Sequence, residues 1–443
     1  MKNLTFIGLL LTTLTLTSRA DLSWAQLPNG IREITAAEKP NELSHQLLHQ
    51  WLGKKLDNYP GYAIGESIHG SVVYEQIHFD LIKYLVKKQG VRIIFWETAI
   101  NRSLPLTEYI ESCTMGPTPA LTEKVLNGFY YPTNTLKNLI QWVCKFNQAH
   151  PRNPIALRGM DIWDRTWELQ NTLEKIASQY EIGIRPALAQ ARAYCWGSNV
   201  SGWDEYYELM GIAYKNGAIP SEFLVPCREA LSIIKAALEA PPIKLPRRVL
   251  SHGLWAFENL QARFNHLHHS ANPNTWHAGW NVRDRSQAQN IGIHWKELRR
   301  KKFVWIAHIS HVSKAGSLAA WWDRGYGLLN SAGEFIKKDL GLDIFTIGLT
   351  SYKAEGEQGD YLAPTDPQSL DLQLHQYQKQ ILGVDVQRGL VSTKEKWFVQ
   401  NENSTAYPNG VWLKPSDHYD AMIYVDHTPK AEAVTTLVDS FFP

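Results

Sequence analysis

The sequence predicts an α/β fold: a mainly parallel sheet flanked by helices, with a helical lobe inserted over the carboxyl edge of the strands. Three observations predict it. Short apolar runs alternate with helix-period stretches through residues 62–158, and apolar runs return between residues 302 and 425. The strand signal disappears from about Arg165 to Arg283, where helical periodicity takes over. The apolar runs also stop, one after another, at polar or ionisable residues.

Taken in order, the chain opens with Lys2, the apolar stretch Leu4 to Leu16 and the small-x-small site Ser18-Arg19-Ala20. This is the pattern of a cleavable secretory leader. The stretch is short for a bilayer and broken by threonines. Residues 1–20 are therefore expected to be removed, leaving a periplasmic or secreted protein with no stable membrane insertion. Residues 36–56 carry Leu43, Leu47, Leu48, Trp51 and Leu52 at helical spacing. Residues 62–65 read as a short strand. Residues 71–88 read as a helix with Tyr74, Ile77, Leu81, Tyr84 and Leu85 on its apolar face, and 91–96 as a strand closing on Glu97. Strand, helix and strand in so short a span are the mark of a parallel pair joined by a crossover helix. A helix over 136–150 follows, then a strand over 154–158 that opens onto Gly159-Met160-Asp161.

Pro241-Pro242 and Pro246 break the helical region, which is rich in Trp, Tyr and His. Strand character returns over 302–307 before His308, over 343–349 before Thr350-Ser351, and over 421–425 before Asp426-His427. Residues 351–415 read as loops with one helix around 370–382. The mature chain thus divides into a first core part (21–164), a helical lobe (165–282) and a second core part (283–443).

The chain has 45 basic and 43 acidic residues, and loss of the leader removes Lys2 and Arg19, which balances them. Such a surface makes no electrostatic case for nucleic acid or an anionic membrane. The cysteines Cys113, Cys144, Cys195 and Cys227 are even in number in a chain read as exported. Neighbour pairing, Cys113 with Cys144 and Cys195 with Cys227, is the expectation among the three pairings; buried free thiols are the alternative. Nothing in the sequence speaks to oligomeric state.

Glu66 with His69, Glu97, Asp161, and His308 with His311 follow four separate strands. A single carboxylate after a strand is usually a helix cap or a surface group. Several such groups at one edge of one parallel sheet share a crevice. Histidine titrates near neutral pH and suits proton abstraction from water, a carboxylate can orient it, and facing histidines can donate to an oxyanion. No Gly-x-Ser-x-Gly elbow occurs, which weakens a serine hydrolase. His308 and His311, with Glu66, His69 and Glu97, would also make a nitrogen and oxygen ligand set for zinc or manganese. The pair leaves a strand end and lacks the spacing of a helical zinc motif, so no metal cofactor is favoured. His266-Leu267-His268-His269 reads as a solvated helix face or part of a cleft wall. Trp163, Trp167, Trp196, Trp203, Trp255, Trp276 and Trp280 read mostly as core, a minority lining an apolar cleft.

These motifs resemble the erythromycin esterase family. The resemblance spans most of residues 60–430. It rests on Gly65-Glu66-x-x-His69-Gly70, Glu97, Arg158-Gly159-Met160-Asp161, Arg283-Asp284 with Asn290, Ala307-His308-x-x-His311-Val312 and Tyr419-Asp420-Ala421. It implies an α/β core with a helical lobe and hydrolysis of a small-molecule ester or lactone such as a macrolide. By match, His69 activates water, and Glu66 and Glu97 orient that base or the water. His308 and His311 serve the oxyanion and leaving group. Arg283, with Asp161, holds a carboxylate or contacts substrate. Two positions depart from the family's pattern: Ile309, where Asn is common, and Gln287, where Met is common. The rivals are a metal-dependent hydrolase using the same residues and a non-catalytic ligand-binding protein.

Overall fold

A computed structural model of the chain describes residues 27–36, 39–113, 133–162, 167–196, 203–321, 329–356, 359–387, 397–398 and 411–432. The leader lies outside them, as does Trp163. In chain order the strands are β1 (Ile31–Glu33), β2 (Thr35–Ala36), β3 (Lys39–Leu43), β4 (Gly61–Glu66), β5 (Ile93–Ala99), β6 (Ala156–Asp161) and β7 (Phe303–His308). They continue with β8 (Ala320–Trp321), β9 (Phe345–Gly356), β10 (Gly359–Tyr361), β11 (Ile381–Val384), β12 (Trp397–Phe398), β13 (Val411–Leu413) and β14 (Ala421–Thr428).

The main sheet runs β1-β11-β14-β9-β4-β7-β5-β6, with β10 paired to β9. From β14 to β6 every pair is parallel; β1, β11 and β10 add antiparallel edges. Parallel strands buried on both faces read as continuous apolar runs rather than alternating ones, which is why residues 62–65 and 303–307 stand out. One face of the sheet (Tyr62, Ile64, Ile94, Val304, Ile306) packs on helices Val72–Lys88, Ile100–Ser112 and Asn134–Ala149. The other face (Ala63, Phe95, Phe303, Trp305) packs on Trp276–Glu297 and Ala332–Leu340. Each fully buried Leu, Ile or Val there contributes about 1.5–3 kcal/mol.

This layering positions the site. The chain leaves β4 for a helix on one face and leaves β7 toward a helix on the other, yet β4 and β7 are neighbours. Connections that part to opposite faces open a crevice at the carboxyl ends of the two strands.

The helical lobe comprises Trp167–Tyr180, Arg185–Ala191, Trp203–Asn216, Ser221–Glu239 and Arg247–Ser270 around its own core, which includes Leu173, Leu188, Ile234 and Phe257. Helix Trp276–Glu297 runs unbroken across residue 282 and carries Arg283 in its second turn. The disulfides are Cys113–Cys144 and Cys195–Cys227, with Cα separations of 5.5 and 5.1 Å. The first ties the end of helix Ile100–Ser112 to the body of helix Asn134–Ala149, and the second braces the lobe. No helix among the described residues is long and apolar enough to cross a membrane.

Several local expectations need correction. Residues 36–56 begin as the hairpin β2–β3, and only His45–Leu52 is helical, capped by the Ser44 hydroxyl. Lys39–Leu43 is taken up by its antiparallel pairing with Thr35–Ala36, and Pro40 favours extended backbone at Lys39. The helix read over 370–382 stops at His375, and Ile381–Val384 is β11. A four-residue apolar run has no periodicity of its own, and its pairing with β14 and β1 decided it. β9 runs on to Gly356, beyond the read end at 349, because β14 and β10 extend its ladder.

Candidate active site

Glu66 is the last residue of β4, directly beside His308 at the end of β7. The chain turns through Ser67–Gly70 before helix Val72–Lys88, and Gly70 takes a left-handed φ of 73° that a side chain would resist. This turn carries His69, whose Nδ1 lies 2.7 Å from Glu66 Oε1. Gly65 has a different task. A Cβ there would stand 2.7 Å from the Cα of Ile309, so glycine lets the one-turn helix Ile309–Val312 pack onto β4. That packing brings the late histidines over the first one. The His69 and His308 rings meet edge-on at 5.4 Å, and those of His308 and His311 at 6.4 Å.

Glu97 lies within β5, where the register with β6 shifts between Trp96 and Ala99. Such an irregularity re-aims side chains. Glu97 Oε2 accepts the His308 backbone N–H at 2.6 Å; Oε1 accepts from Arg283 Nη2 at 2.9 Å and faces His311 Nε2 at 3.2 Å. Arg283 also binds both oxygens of Asp161, Nε to each at 3.1 Å and Nη2 to Oδ2 at 2.5 Å. The other nitrogen of His311 meets Asp284 Oδ1 at 2.8 Å, and that oxygen also accepts the Ala332 N–H. Residues i and i+1 of a helix do not share a direction, so Arg283 serves Glu97 and Asp161 while Asp284 serves His311.

His308 is held differently. A carbonyl can only accept, so the 3.0 Å contact between Nε2 and the Ser67 oxygen fixes the proton on Nε2. Nδ1 then receives the Ser310 N–H at 3.3 Å and its hydroxyl at 2.7 Å. Tyr361 donates to the same Ser67 carbonyl, so the turn carrying His69 is clamped twice.

The electrostatics follow from these partners. Burial opposes the charge on His311, but Asp284 and Glu97 overcome it and push its pKa up to about 10, making it an imidazolium. Burial also opposes the charge on Glu97, yet His311, His69 and Arg283 together hold it well below the usual carboxylate range. Burial and the neighbouring His69 charge drive His308 down to about 3, so it is neutral. For His69 burial again acts downward, and the Glu66 hydrogen bond with the charges of Glu97 and Glu66 wins, raising it. One neutral imidazole, one fixed cation and one histidine poised on a carboxylate thus share a site, the environment in which acid and base roles separate.

All seven residues singled out from the sequence, Glu66, His69, Glu97, Asp161, Arg283, His308 and His311, are brought together here. Asp161 and Arg283 bind each other, with Asp161 1 % exposed. Asn290 joins the lobe to the sheet, donating to the Met160 carbonyl and accepting from Trp255 and Asn259. Gln287 is fully buried on the same helix. Of the tryptophans, Trp255 is core and Trp280 stacks on Arg283 at 5.3 Å; the side chains of Trp167, Trp196 and Trp203 lie outside the described residues. The His266 cluster splits: His266 is buried with Nδ1 on the Gly279 carbonyl, not solvated, because the next helix covers it. Asp284, Ser310 and Tyr361 went unassigned in the sequence. The one available signal was a run of polar residues on the buried side of helix 276–297. Among the described residues no group of three or more His, Cys, Asp or Glu is arranged to hold a metal ion.

A family model described as Erythromycin esterase matches residues 86–428. The segment 65–70 with Glu66 and His69 precedes that match. Three solved structures share the fold. An erythromycin esterase, EreC, in a histidine-to-asparagine mutant described as open, aligns with TM-score 0.69 and 14 % identity over 92 % of this chain and 100 % of its own. A Bacillus cereus protein gives 0.65 and 17 % over 89 % and 94 %. A succinoglycan biosynthesis protein gives 0.64 and 19 % over 91 % and 96 %.

Proposed function

The chain belongs to the erythromycin esterase family, and from that premise we propose that it hydrolyses a carboxylic ester or lactone with water that His69 deprotonates, without a covalent intermediate on the protein. The observation that carries this reading is the His69–Glu66 hydrogen bond at 2.7 Å, set against the His308 and His311 rings. With Nδ1–H given to Glu66, Nε2 is the nitrogen that takes the proton as the water oxygen bonds to the carbonyl carbon. The oxyanion forms beside the fixed charge of His311. When the ester C–O bond breaks, the proton on Nε2 passes to the departing alkoxide, giving acid and alcohol.

The geometry supports a division of labour between the late histidines. His311 supplies positive charge, and neutral His308, tied to the Ser67 carbonyl, positions the turn that bears His69. Arg283 and Asp161 then act by holding Glu97 rather than by touching substrate. Export belongs to the same proposal, supported by the leader-like residues 1–20 and by two disulfides of the kind found in oxidising compartments.

Incubating the purified protein with erythromycin and a panel of lactones and simple esters, read by mass gain of one water, tests the reading; no product from any member would refute it. Prior chelation should leave the rate unchanged, since an imidazolium such as His311 has no lone pair for a metal. A second expectation concerns pH. The base must be neutral and its pKa is raised, so kcat/KM should climb with pH through a midpoint above 6.5, the ordinary histidine value. Glu66→Gln removes the charge that raises it, and the midpoint should move down. A midpoint below 6.5 in the parent would contradict the assignment.

A further inference from the structure

Two buried titratable side chains on the inner face of helix Val72–Lys88, Glu75 and His78, take no part in the machinery above. Three residues apart, they lie one above the other on that face. His78 is 1 % exposed, and neither ring nitrogen has a hydrogen-bond partner among the protein atoms. Its Nδ1 stands 3.8 Å from Glu66 Oε2, beyond direct hydrogen-bond reach. Its ring meets Trp96 edge-on at 6.0 Å. Glu75 accepts a hydrogen bond from the Thr133 hydroxyl. The Glu66–His69 pair borders a cavity of about 40 Å³, whose lining also includes Glu75, His78, Trp96 and Glu97.

A water needs roughly 10–15 Å³ and two to four polar partners. This cavity exceeds that size and offers both His78 nitrogens, Glu66 Oε2 and Glu75. An apolar filling would leave His78 unbonded in the interior, the costly case. Burial lowers the pKa of His78 against the pull of Glu66, so the imidazole is neutral, with one donor and one acceptor. Burial pushes Glu75 up to about 8 against the Thr133 bond, so near neutral pH it too carries a proton to donate. The ionisable groups around the cavity are Glu66 and His69 from β4 and its turn, Glu97 from β5, and Glu75 and His78. Helix Asn134–Ala149 adds the apolar Leu136 to the lining, and its buried Lys137, one turn beyond Thr133, is not part of that lining.

We propose that water bound in this cavity links His78 and Glu75 to Glu66 Oε2, so that the two helix residues hold the Glu66 carboxylate turned toward His69. They are positioning residues, and the proposal rests on the reading of His69 as base. While Oε2 is held, Oε1 stays on His69 Nδ1; once it is released, the carboxylate rotates about its terminal bond and the pair opens.

The test follows the His69 ring C–H by NMR through a pH titration of the full chain, with steady-state kinetics in parallel. In His78→Phe, which removes both nitrogens, the His69 midpoint should fall back toward 6.5. On an ester turned over by the parent, kcat should drop about tenfold, one net hydrogen bond's worth, at unchanged KM. His78→Gln, which restores a donor and an acceptor, should recover most of both, and Glu75→Leu should shift the midpoint in the same direction. A His69 midpoint that stays put or rises in a folded His78→Phe protein overturns the proposal. If that variant does not fold, a crystal structure of the parent decides: ordered water bonded to His78 sustains it and none overturns it. The titration needs no substrate, so a chain that titrates as expected but hydrolyses no ester refutes the hydrolytic reading and leaves the water link standing.

Discussion

His69→Ala should lower kcat/KM by about 10²–10⁴ on any ester the parent hydrolyses, the range supplied by a positioned general base. The loss should fall on kcat, because a base acts in the transition state and contributes little to ground-state binding. His69 sits on a turn, its ring partly exposed, and its removal leaves the clamp of Ser67 by His308 and Tyr361 untouched. Circular dichroism and thermal unfolding should therefore match the parent. Undiminished turnover in a folded His69→Ala protein would end the proposed mechanism.

Arg283→Ala should be the most damaging change to the fold at this site. It strips the guanidinium from two buried carboxylates at once, Glu97 and Asp161. Removing one partner of a buried ion pair leaves uncompensated charge and typically costs about 3–5 kcal/mol. Part of that cost is relieved by protonation, so the deficit in unfolding free energy should shrink as pH falls toward the carboxylate range and the freed acids neutralise. Activity should collapse in parallel, since Glu97 would no longer be held against the His308 N–H and His311. A variant with parental stability and rate would show that the network neither holds the fold nor shapes the site. Arg283→Lys should recover little of either, because one ammonium cannot reproduce the forked contact.

Much of the site was legible in the sequence because strand ends of a parallel sheet must converge. Glu66, His308 and Asp161 close predicted apolar runs, and parallel register carries such residues to one edge. His69 and His311 follow within a turn. Glu75 and His78 were not legible. On a helix with Tyr74, Ile77 and Leu81 they read as ordinary polar positions, and only the fold sets Glu75 against Thr133 and His78 against Glu66 and Trp96. The contacts of Asp284 were hidden for a related reason: its partners His311 and Ala332 are distant in sequence. The hairpin near residue 40 and strand β11 were missed because short segments take their structure from the neighbours they pair with.

By itself, then, the sequence determined the alternation of strands and helices, the helical lobe and which ionisable side chains would reach the crevice. These follow from local periodicity and from the stereochemistry of parallel strands, both properties of neighbouring residues. Only the tertiary structure decided which carboxylate meets which histidine, and so which imidazole is charged, which is neutral and which can serve as a base. Protonation depends on burial and on charges a few ångströms away, and those distances exist only once residues hundreds apart in the chain have been packed together.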